Sequence, residues 1–194
     1  MPSAPGPTVL EGCHVRLEPL ADSHVPALFV AGGRDDEVWR WLSAPTPYTE
    51  AELREIVSRR LKDVADGKRV AFAVLSRSEA TPIGTTNLHS WHLENGRVEI
   101  GGTWFGRQWW RTAANTETKL LTMTYAFETL GFAAIVWRID AGNLRSREAI
   151  TRIGATPAGR EPGTSLKPDL LVYTMPRNQW PAAKARLVER LKRG

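Results

Sequence analysis

Residues 103–121, with the sequence TWFGRQWWRTAANTETKLL, are the most informative part of the chain. They have the pattern of a strand end, a loop with two arginines, Arg107 and Arg111, and the start of a long helix. The turn before the helix contains the small residues Ala113 and Ala114, which let a ligand approach the backbone closely. Because a helix N-terminus has unpaired N–H groups and partial positive charge, it binds phosphate oxygens, and arginines add charge-assisted contacts. The stretch therefore predicts a phosphorylated ligand.

The composition is typical of one soluble α/β domain. The chain has 194 residues, of which 42% are hydrophobic and 24% charged, so it can bury a core. No apolar run approaches the ~18 residues that a membrane span needs, and the N-terminal MPSAPGPT lacks the features of a signal peptide. The one cysteine, Cys13, excludes an internal disulfide and favours a reducing cytoplasm. We expect Cys13, placed in the first strand, to be buried and inert.

The positive charge is concentrated at the C-terminus. Residues 177–194 contain six basic side chains and one acidic side chain, which together equal the whole net charge of +5. Cations in a terminal amphipathic helix are usually a solvated face that also suits the helix C-terminus. We therefore predict a basic helix over residues 178–194 and expect no binding of nucleic acid.

Hydrophobic periodicity and turn residues predict a mixed order of strands and helices. A capping box at Thr49 and Glu52 begins the second helix, and Asn95-Gly96 is a strong hairpin signal. No linker divides the chain, so we predict a single domain over residues 1–194, with residues 1–8 flexible. The predicted strands are 14–20, 69–76, 83–91, 98–105, 134–140 and 170–175, and the predicted helices are 22–32, 49–66, 116–130, 144–153 and the C-terminal one.

This order resembles the GNAT acyltransferase superfamily, over about residues 15–175. The likeness is closest to the Rim-type branch, the relatives of the N-terminal acetyltransferases of ribosomal proteins. That branch has a first strand like VRLEPL at residues 15–20, an EIG strand like residues 99–101, and an N-x-x-S element like residues 143–146. Its W-G-x-G-Y-A-T-E-A loop aligns with WRTAANTET at residues 110–118. The resemblance implies a GNAT fold in the α/β class: a central, mostly antiparallel sheet with one splayed parallel strand pair and flanking helices.

The resemblance also implies an activity. GNAT members are coenzyme A-dependent N-acyltransferases, and the commonest reaction moves acetyl from acetyl-CoA to a primary amine by direct attack in a ternary complex. A protein N-terminus, a lysine or a small-molecule amine would be the acceptor; no metal and no membrane take part, and homodimers are common in the Rim branch. Arg111 and Ala113 replace both loop glycines of the family, and glycine reaches conformations that strain other residues. That replacement favours the alternative of a non-catalytic protein with the same fold, which senses CoA or binds a partner.

Two residues are candidates for the chemistry. Glu99 lies on the strand that lines the expected cofactor notch, with apolar neighbours on the opposite face, and can act as the general base; the alternative is a salt bridge or a solvent-exposed carboxylate. Ser146 matches the position of a hydroxyl near the departing thiol and can act as the general acid. Asn143 and Ser146 equally suit a helix N-cap and first turn. The resemblance implies cofactor contacts from Thr103, Trp104, Phe105, Arg107, Arg111, Thr112, Ala113, Ala114, Asn115, Thr116, Asn143 and Ser146.

The glycines and aromatic residues near these positions leave alternatives open. Gly101-Gly102 in mid-strand predicts a bulge that frees an N–H group near Thr103 or Trp104 to polarise the thioester carbonyl; the alternative is that an aromatic ring packs above the glycines. Four tryptophans, Trp39, Trp41, Trp91 and Trp104, line an acceptor pocket or subunit contact, or else belong to the core. His89 and His92 are expected on opposite faces of a strand, which argues against a shared metal. Residues 159–169 are expected to border the acceptor site.

Overall fold

The computed structural model describes residues 1–163 and 169–193. Within these residues eight strands form one sheet, in the order β1-β2-β3-β4-β5-β6-β8-β7. Only β5 and β6 are parallel neighbours, and every other neighbouring pair is antiparallel. The strands are β1 Leu10–Glu11, β2 Val15–Pro19, β3 Arg69–Ser76, β4 Pro82–His92, β5 Arg97–Phe105, β6 Ala134–Asp140, β7 Thr156–Glu161 and β8 Leu170–Pro176. The predicted mixed α/β architecture is confirmed.

Helices cover both faces of the sheet, and each face has its own apolar core. The helices are α1 Val25–Gly32, α2 Asp36–Trp39, α3 Glu50–Ala65, α4 Ala113–Thr124, α5 Leu144–Ile153 and α6 Trp180–Lys192. Leu28, Trp39 and Ile56 of α1–α3 pack in one buried cluster. Met123 of α4 and Leu187 of α6 belong to the other, which α5 joins. Burial of these side chains supplies most of the force that holds the helices to the sheet.

Local capping determines where the helices begin. Thr49 and Glu52 form the predicted capping box at α3, and Asn143 caps α5, which ends at Gly154 with a φ of +108°. Helix α4 begins three residues before its predicted start because the hydroxyl of Thr112 accepts from the N–H of Ala114. The loop that precedes α4 is therefore shorter than expected, and Ala113 and Ala114 lie in the first turn of the helix.

The parallel pair β5–β6 opens along its length. The two strands pair with each other only from Arg97–Ala134 to Glu99–Val136. Beyond these residues, β5 pairs only with β4, and β6 pairs only with β8. The predicted bulge is present in β5: its register against β4 shifts between Thr85 and Asn87, and Gly102 has a φ of +58°. A bulge bends its strand and increases the local twist. The result is a cleft between the C-terminal halves of β5 and β6.

Sequence reasoning missed three short elements: β1, α2 and β7. All six residues of β7 are exposed, and its sequence TPAGRE has no apolar alternation that would predict a strand. It forms by pairing with β8 at the edge of the sheet. The predicted acceptor-bordering segment 159–169 is thus partly strand, and residues 164–168 lie outside the described residues.

The prediction of a buried cysteine was wrong. Cys13 is exposed, and it lies in a turn before β2 because the carboxylate of Glu117 binds this turn. Glu117 is 4% exposed and accepts from the backbone N–H groups of Cys13, His14 and Val15 at 2.9, 2.6 and 2.7 Å. A Cβ on Gly12 would lie 2.5 Å from the same carboxylate, so only glycine allows this close approach. The contact ties α4 to the start of β2.

Residues at the N-terminus also contact the segment that follows α4. The N–H of Ser3 donates to the carbonyl of Leu130 at 2.9 Å, and the N–H of Gly6 donates to the hydroxyl of Tyr125 at 3.3 Å. The flexibility of residues 1–8 stays a prediction. Among the helices of the described ranges, none has the length and apolarity needed to cross a membrane.

Candidate active site

The cleft between β5 and β6 gathers most of the predicted site residues that lie on strands and on α5. It has a volume of about 130 Å³. Five residues predicted to contact the cofactor line it, namely Thr103, Trp104, Phe105, Asn143 and Ser146. Other lining residues that bear on its chemistry are Gly101, Gly102, Trp110, Lys119, Trp137, Arg138 and Arg145.

The loop before α4 has a left-handed residue at the position of the first family glycine. Arg111, at the first glycine position, has a φ of +62°, in the left-handed region that glycine enters without strain. Ala113 is the first residue of α4, and its small side chain leaves the backbone of the first turn accessible. The first turn of a helix has N–H groups without intrahelical partners. The loop therefore still presents donors and positive charge, with Arg111 exposed beside them.

Arg107, which was predicted to contact the cofactor, is bound to a carboxylate. Its Nε and Nη2 donate to the two carboxylate oxygens of Asp35 at 2.9 and 2.5 Å, and this hydrogen bond lowers the pKa of Asp35. Arg107 thus links the loop to the N-cap of α2 and is already paired. A different cation takes the position next to the cleft: the guanidinium of Arg145 lies 3.7 Å from the ring centroid of Trp110.

Glu99 forms an ion pair, and its pKa is nevertheless raised above the ordinary value of a glutamate. It is 7% exposed, and its Oε2 accepts from Nη1 of Arg138 at 2.5 Å. Burial raises the pKa of Glu99, and the charge and hydrogen bond of Arg138 oppose that rise. Arg138 is shared, because its Nε donates to Glu161 at 2.9 Å. The salt bridge weighed as an alternative is thus present, and it uses Oε2 of Glu99 rather than Oε1.

His89 lies next to that oxygen as a neutral imidazole. Its Nε2 is 3.9 Å from Oε1 of Glu99. Burial, together with the charges of Arg69 and Arg138, lowers the pKa of His89 to about 4. The contact is therefore not an ion pair near neutral pH, and it leaves Oε1 able to take a proton. A Cβ on Gly101 would lie 2.8 Å from Nε2 of His89, so the glycine makes room for the ring.

Sequence reasoning missed the polar side chains of β4. Thr85, Asn87 and His89 alternate along the strand and face the same side as Glu99, because His89 pairs with Glu99 and Asn87 with Gly101. Nδ2 of Asn87 donates to the carbonyls of Gly101 and Gly102 at 3.1 and 3.3 Å, which holds the bulge in place. Three alternating polar residues in a largely buried strand were the signal that could have revealed them.

Asn143 and Ser146 have the capping geometry and also line the cleft. Oδ1 of Asn143 accepts from the N–H of Ser146 at 3.1 Å, so the amide oxygen caps α5. This leaves the Nδ2 group of Asn143 and the hydroxyl of Ser146 at the cleft wall. The hydroxyl of Thr103 has a partner already, the hydroxyl of Thr86 at 2.8 Å.

The tryptophans divide between core and cleft. Trp39 and Trp104 pack together with ring centroids 5.3 Å apart, both buried, and Trp104 and Trp41 line the cleft. Trp91 packs against the core on the face of α4–α6 and is not among the residues that line this cleft. Within residues 1–163 and 169–193, the indole N–H groups of Trp104 and Trp137 are buried without a hydrogen-bond partner. An unpaired buried donor is unfavourable, and a ligand carbonyl would satisfy it.

These features fit an acyl thioester on a long amide-containing arm with phosphates at its far end. The cleft has apolar walls and unpaired donors, and a helix N-terminus for phosphate lies beside it. A family model described as acetyltransferase (GNAT) domain matches residues 14–156. The chain belongs to the GNAT acetyltransferase family. The predicted family is thereby confirmed, and so is the prediction that this GNAT protein is an N-acetyltransferase rather than a non-catalytic binding protein.

Solved structures similar to this GNAT domain agree with the assignment. A GCN5-related N-acetyltransferase from Brucella melitensis is 28% identical, with a TM-score of 0.91 over 98% of this chain and 88% of that one. An acetyltransferase from T. thermophilus is 34% identical, with a TM-score of 0.84 over 98% of this chain and 100% of the other. Mycobacterium smegmatis RimJ, solved with CoA-disulfide, is 16% identical, with a TM-score of 0.78 over 95% of each chain, a likeness of fold. A search among curated proteins gave no match.

Proposed function

We propose that this GNAT enzyme transfers an acetyl group from acetyl-CoA to a primary amine by direct attack in a ternary complex. The observation that carries the proposal is the opening of β5 and β6 after Glu99 and Val136, beside the N-terminus of α4. When bound there, the thioester supplies an activated acyl carbon. The pantetheine arm would lie along the cleft, with carbonyl oxygens near the unpaired N–H groups of Trp104 and Trp137, and with the amide of Asn143 close by.

Phosphate binding falls to the loop and the first turn of α4. The backbone N–H groups of residues 112–116 and the positive end of the helix receive the pyrophosphate. Arg111 adds a charge-assisted contact from its exposed side chain, and Arg145 adds a second cation at the cleft wall. Arg107 is left out of this set because Asp35 binds it.

Glu99 receives the proton of the acceptor amine, directly or through a water. Amines are largely protonated near pH 7, and a carboxylate with a raised pKa is better matched to remove that proton than an ordinary one. The neutral amine nitrogen then forms a bond to the acyl carbon, the C–S bond breaks, and the nitrogen releases its remaining excess proton to solvent, as Glu99 later releases the proton that it took. The hydroxyl of Ser146 donates a proton to the leaving thiolate and regains one from solvent, so that an amide and free CoA result.

The acceptor is a protein N-terminus, a lysine or a small amine. The neutral His89 and the buried ion pair of Glu99 with Arg138 border the place where this amine must approach. A homodimer and a cytoplasmic location stay predictions.

Two measurements test the proposal. Thermal shift with acetyl-CoA, CoA and succinyl-CoA must show stabilisation, because a ligand that binds the folded state raises its apparent stability; no shift with any of them contradicts the proposal. Release of free thiol, screened against amines and peptide N-termini, then identifies the acceptor. The exposed Cys13 reacts with thiol reagents, so the assay uses the Cys13→Ser background.

Variants assign the roles of the two candidate residues. Glu99→Gln and Ser146→Ala should each lower turnover by about 10²-fold or more, in line with the contribution of a general acid or base. The matched controls are Glu94→Gln and Ser58→Ala, which change exposed residues outside the cleft. Turnover of Glu99→Gln equal to that of Glu94→Gln would exclude Glu99 as the base.

A further inference from the structure

His89 spans the distance between Glu99 and the protein surface. A Cβ on Gly101, which lines the cleft, would lie 2.8 Å from Nε2 of His89 and 3.6 Å from Oε1 of Glu99, so both atoms lie beside this glycine. At the other side of the ring, Nδ1 of His89 is 3.0 Å from the hydroxyl oxygen of Ser90, which is an exposed residue. The imidazole thus has one nitrogen near Glu99 and the other at a solvent-exposed hydroxyl.

An irregularity in β4 brings the side chain of Ser90 to this position. In a regular strand, successive side chains point to opposite faces, and Ser90 would point away from His89. Here the register of β4 against β5 shifts between His89 and His92, and Ser90 has a φ of +50°. That left-handed conformation is strained for a residue with a side chain, and strained residues are concentrated at functional sites. The strain at Ser90 is therefore associated with its contact to His89.

Glu99 needs a route by which its proton reaches solvent, because it is only 7% exposed. Arg138, which binds Oε2, cannot accept this proton, since its guanidinium group is already charged. His89 can accept it, because burial and the charges of Arg69 and Arg138 hold the ring neutral near pH 7, against the opposing charge of Asp63. With a pKa of about 4, the ring passes the proton on and does not retain it. The 3.9 Å between Nε2 and Oε1 is a separation that one water molecule bridges.

We propose that His89 and Ser90 form a proton relay from Glu99 to solvent, which returns Glu99 to its ionised form after each acyl transfer. This inference rests on the proposed function. Nε2 of His89 takes the proton from Oε1 of Glu99, directly or through one water, and the N–H at Nδ1 gives its proton to the hydroxyl of Ser90. That hydroxyl releases one proton to bulk water, so only N–H and O–H bonds form and break. Proton exchange with solvent restores the first tautomer of the ring once the product has left the cleft. His89 acts through Glu99 and does not contact the substrate.

Chemical rescue by imidazole tests the relay. We expect His89→Ala to lower kcat for acetyl transfer by about 10-fold, because proton release becomes slow. Imidazole in the buffer should restore most of this loss, because it fits the space of the missing ring and carries the proton in its place. His89→Gln should lose as much activity without rescue, because the amide fills that space and relays no proton. His92→Ala is the matched control, since His92 is an exposed histidine of the same strand; its kcat should equal that of the wild type with or without imidazole.

Nitrogen NMR of the labelled histidine rings gives a readout that does not depend on turnover. The relay requires a neutral His89 near pH 7 with its proton on Nδ1, donated to Ser90, and with Nε2 free to accept from Glu99. The spectrum of His89→Gln identifies the signals of His89 by their loss. A proton on Nε2 in the wild type would overturn the inference.

The kinetic outcomes separate the relay from the proposed function. Equal kcat values for His89→Ala and His92→Ala, or a loss in His89→Ala that imidazole does not restore, would overturn the relay and leave the proposed function intact. No acetyl transfer by the wild type to any amine or peptide tested would overturn the proposed function itself.

Discussion

Replacing His89 tests the electrostatics of the active site most quantitatively. Burial lowers the pKa of this imidazole to about 4 from its ordinary value of 6.5, and the side chain is only 19% exposed. Between these two pH values the unfolded chain binds a proton at His89 that the folded protein does not. Stability must therefore rise with pH through this window and fall as the pH decreases from 6.5 towards 4.

The size of the effect follows from the two pKa values. At pH 5 an unfolded histidine is almost fully protonated while the folded His89 is mostly neutral, and the difference amounts to about 2 kcal/mol of unfolding free energy. Besides burial, the charges of Arg69 and Arg138 lower the pKa of His89, and the charge of Asp63 raises it. Titrations that the wild type and His89→Gln share cancel when the two proteins are compared, so the difference between them reports on the histidine.

Urea denaturation at pH 7.5 and pH 5.0 measures the effect. We expect the wild type to lose about 2 kcal/mol more than His89→Gln between these two pH values. His92→Gln is the matched control, since His92 is exposed on the same strand, and it should behave like the wild type. If the wild type and His89→Gln lose the same free energy, His89 is not held neutral beside Glu99, and the proton-accepting role of Oε1 loses its support.

Three other predictions follow from contacts of the site and its frame. Arg138→Gln should raise the pKa of Glu99, because Arg138 lowers that pKa, and should move the acidic limb of the pH profile of kcat/KM to higher pH. Glu161→Gln should move the same limb to lower pH, because the charge of Glu161 raises the pKa of Glu99. An acidic limb that does not move in Arg138→Gln would refute the role of Glu99. Glu117→Ala should reduce the unfolding free energy by roughly 4 kcal/mol, because three backbone donors lose their acceptor, as chemical denaturation will show; a loss below about 1 kcal/mol contradicts it. Arg111→Gly should be more stable than Arg111→Ala by about 1 kcal/mol, because glycine adopts a φ of +62° without the strain of a side chain. Both variants should weaken CoA binding equally, because both lose the guanidinium group. Unequal weakening would show that the backbone conformation, and not the side chain, determines CoA affinity.

The frame of the fold could be predicted from the sequence because local signals and periodicity agree there. Strand β6 and helix α5 begin and end at the predicted residues, since alternation, an Asn cap and a stopping glycine each act within a few residues. Strand β7 could not be predicted, because its stability comes from pairing with β8 and its side chains are all exposed.

The sequence indicated where the candidate site lies, but only some of the contacts between its side chains. Alternation around Glu99 correctly predicted that its side chain faces away from Val98 and Ile100, which are in the core. Its partner Arg138 lies on β6, and only the order of strands in the sheet brings the two together.

The carboxylate partner of one predicted cofactor residue could not be found from the sequence. Arg107 was expected at phosphate, whereas its partner Asp35 is 72 residues away in the sequence. Contacts of this range are set by tertiary structure, which one sequence does not reveal.

We infer that the opening between β5 and β6 holds the acyl carrier beside Glu99. A crystal structure of the wild type with acetyl-CoA tests it most directly. We expect the pantetheine arm between residues 100–105 and 137–140, with the pyrophosphate on the first turn of α4 and the thioester within reach of Glu99 and Ser146. Density for the pantetheine arm anywhere else on the protein would contradict it.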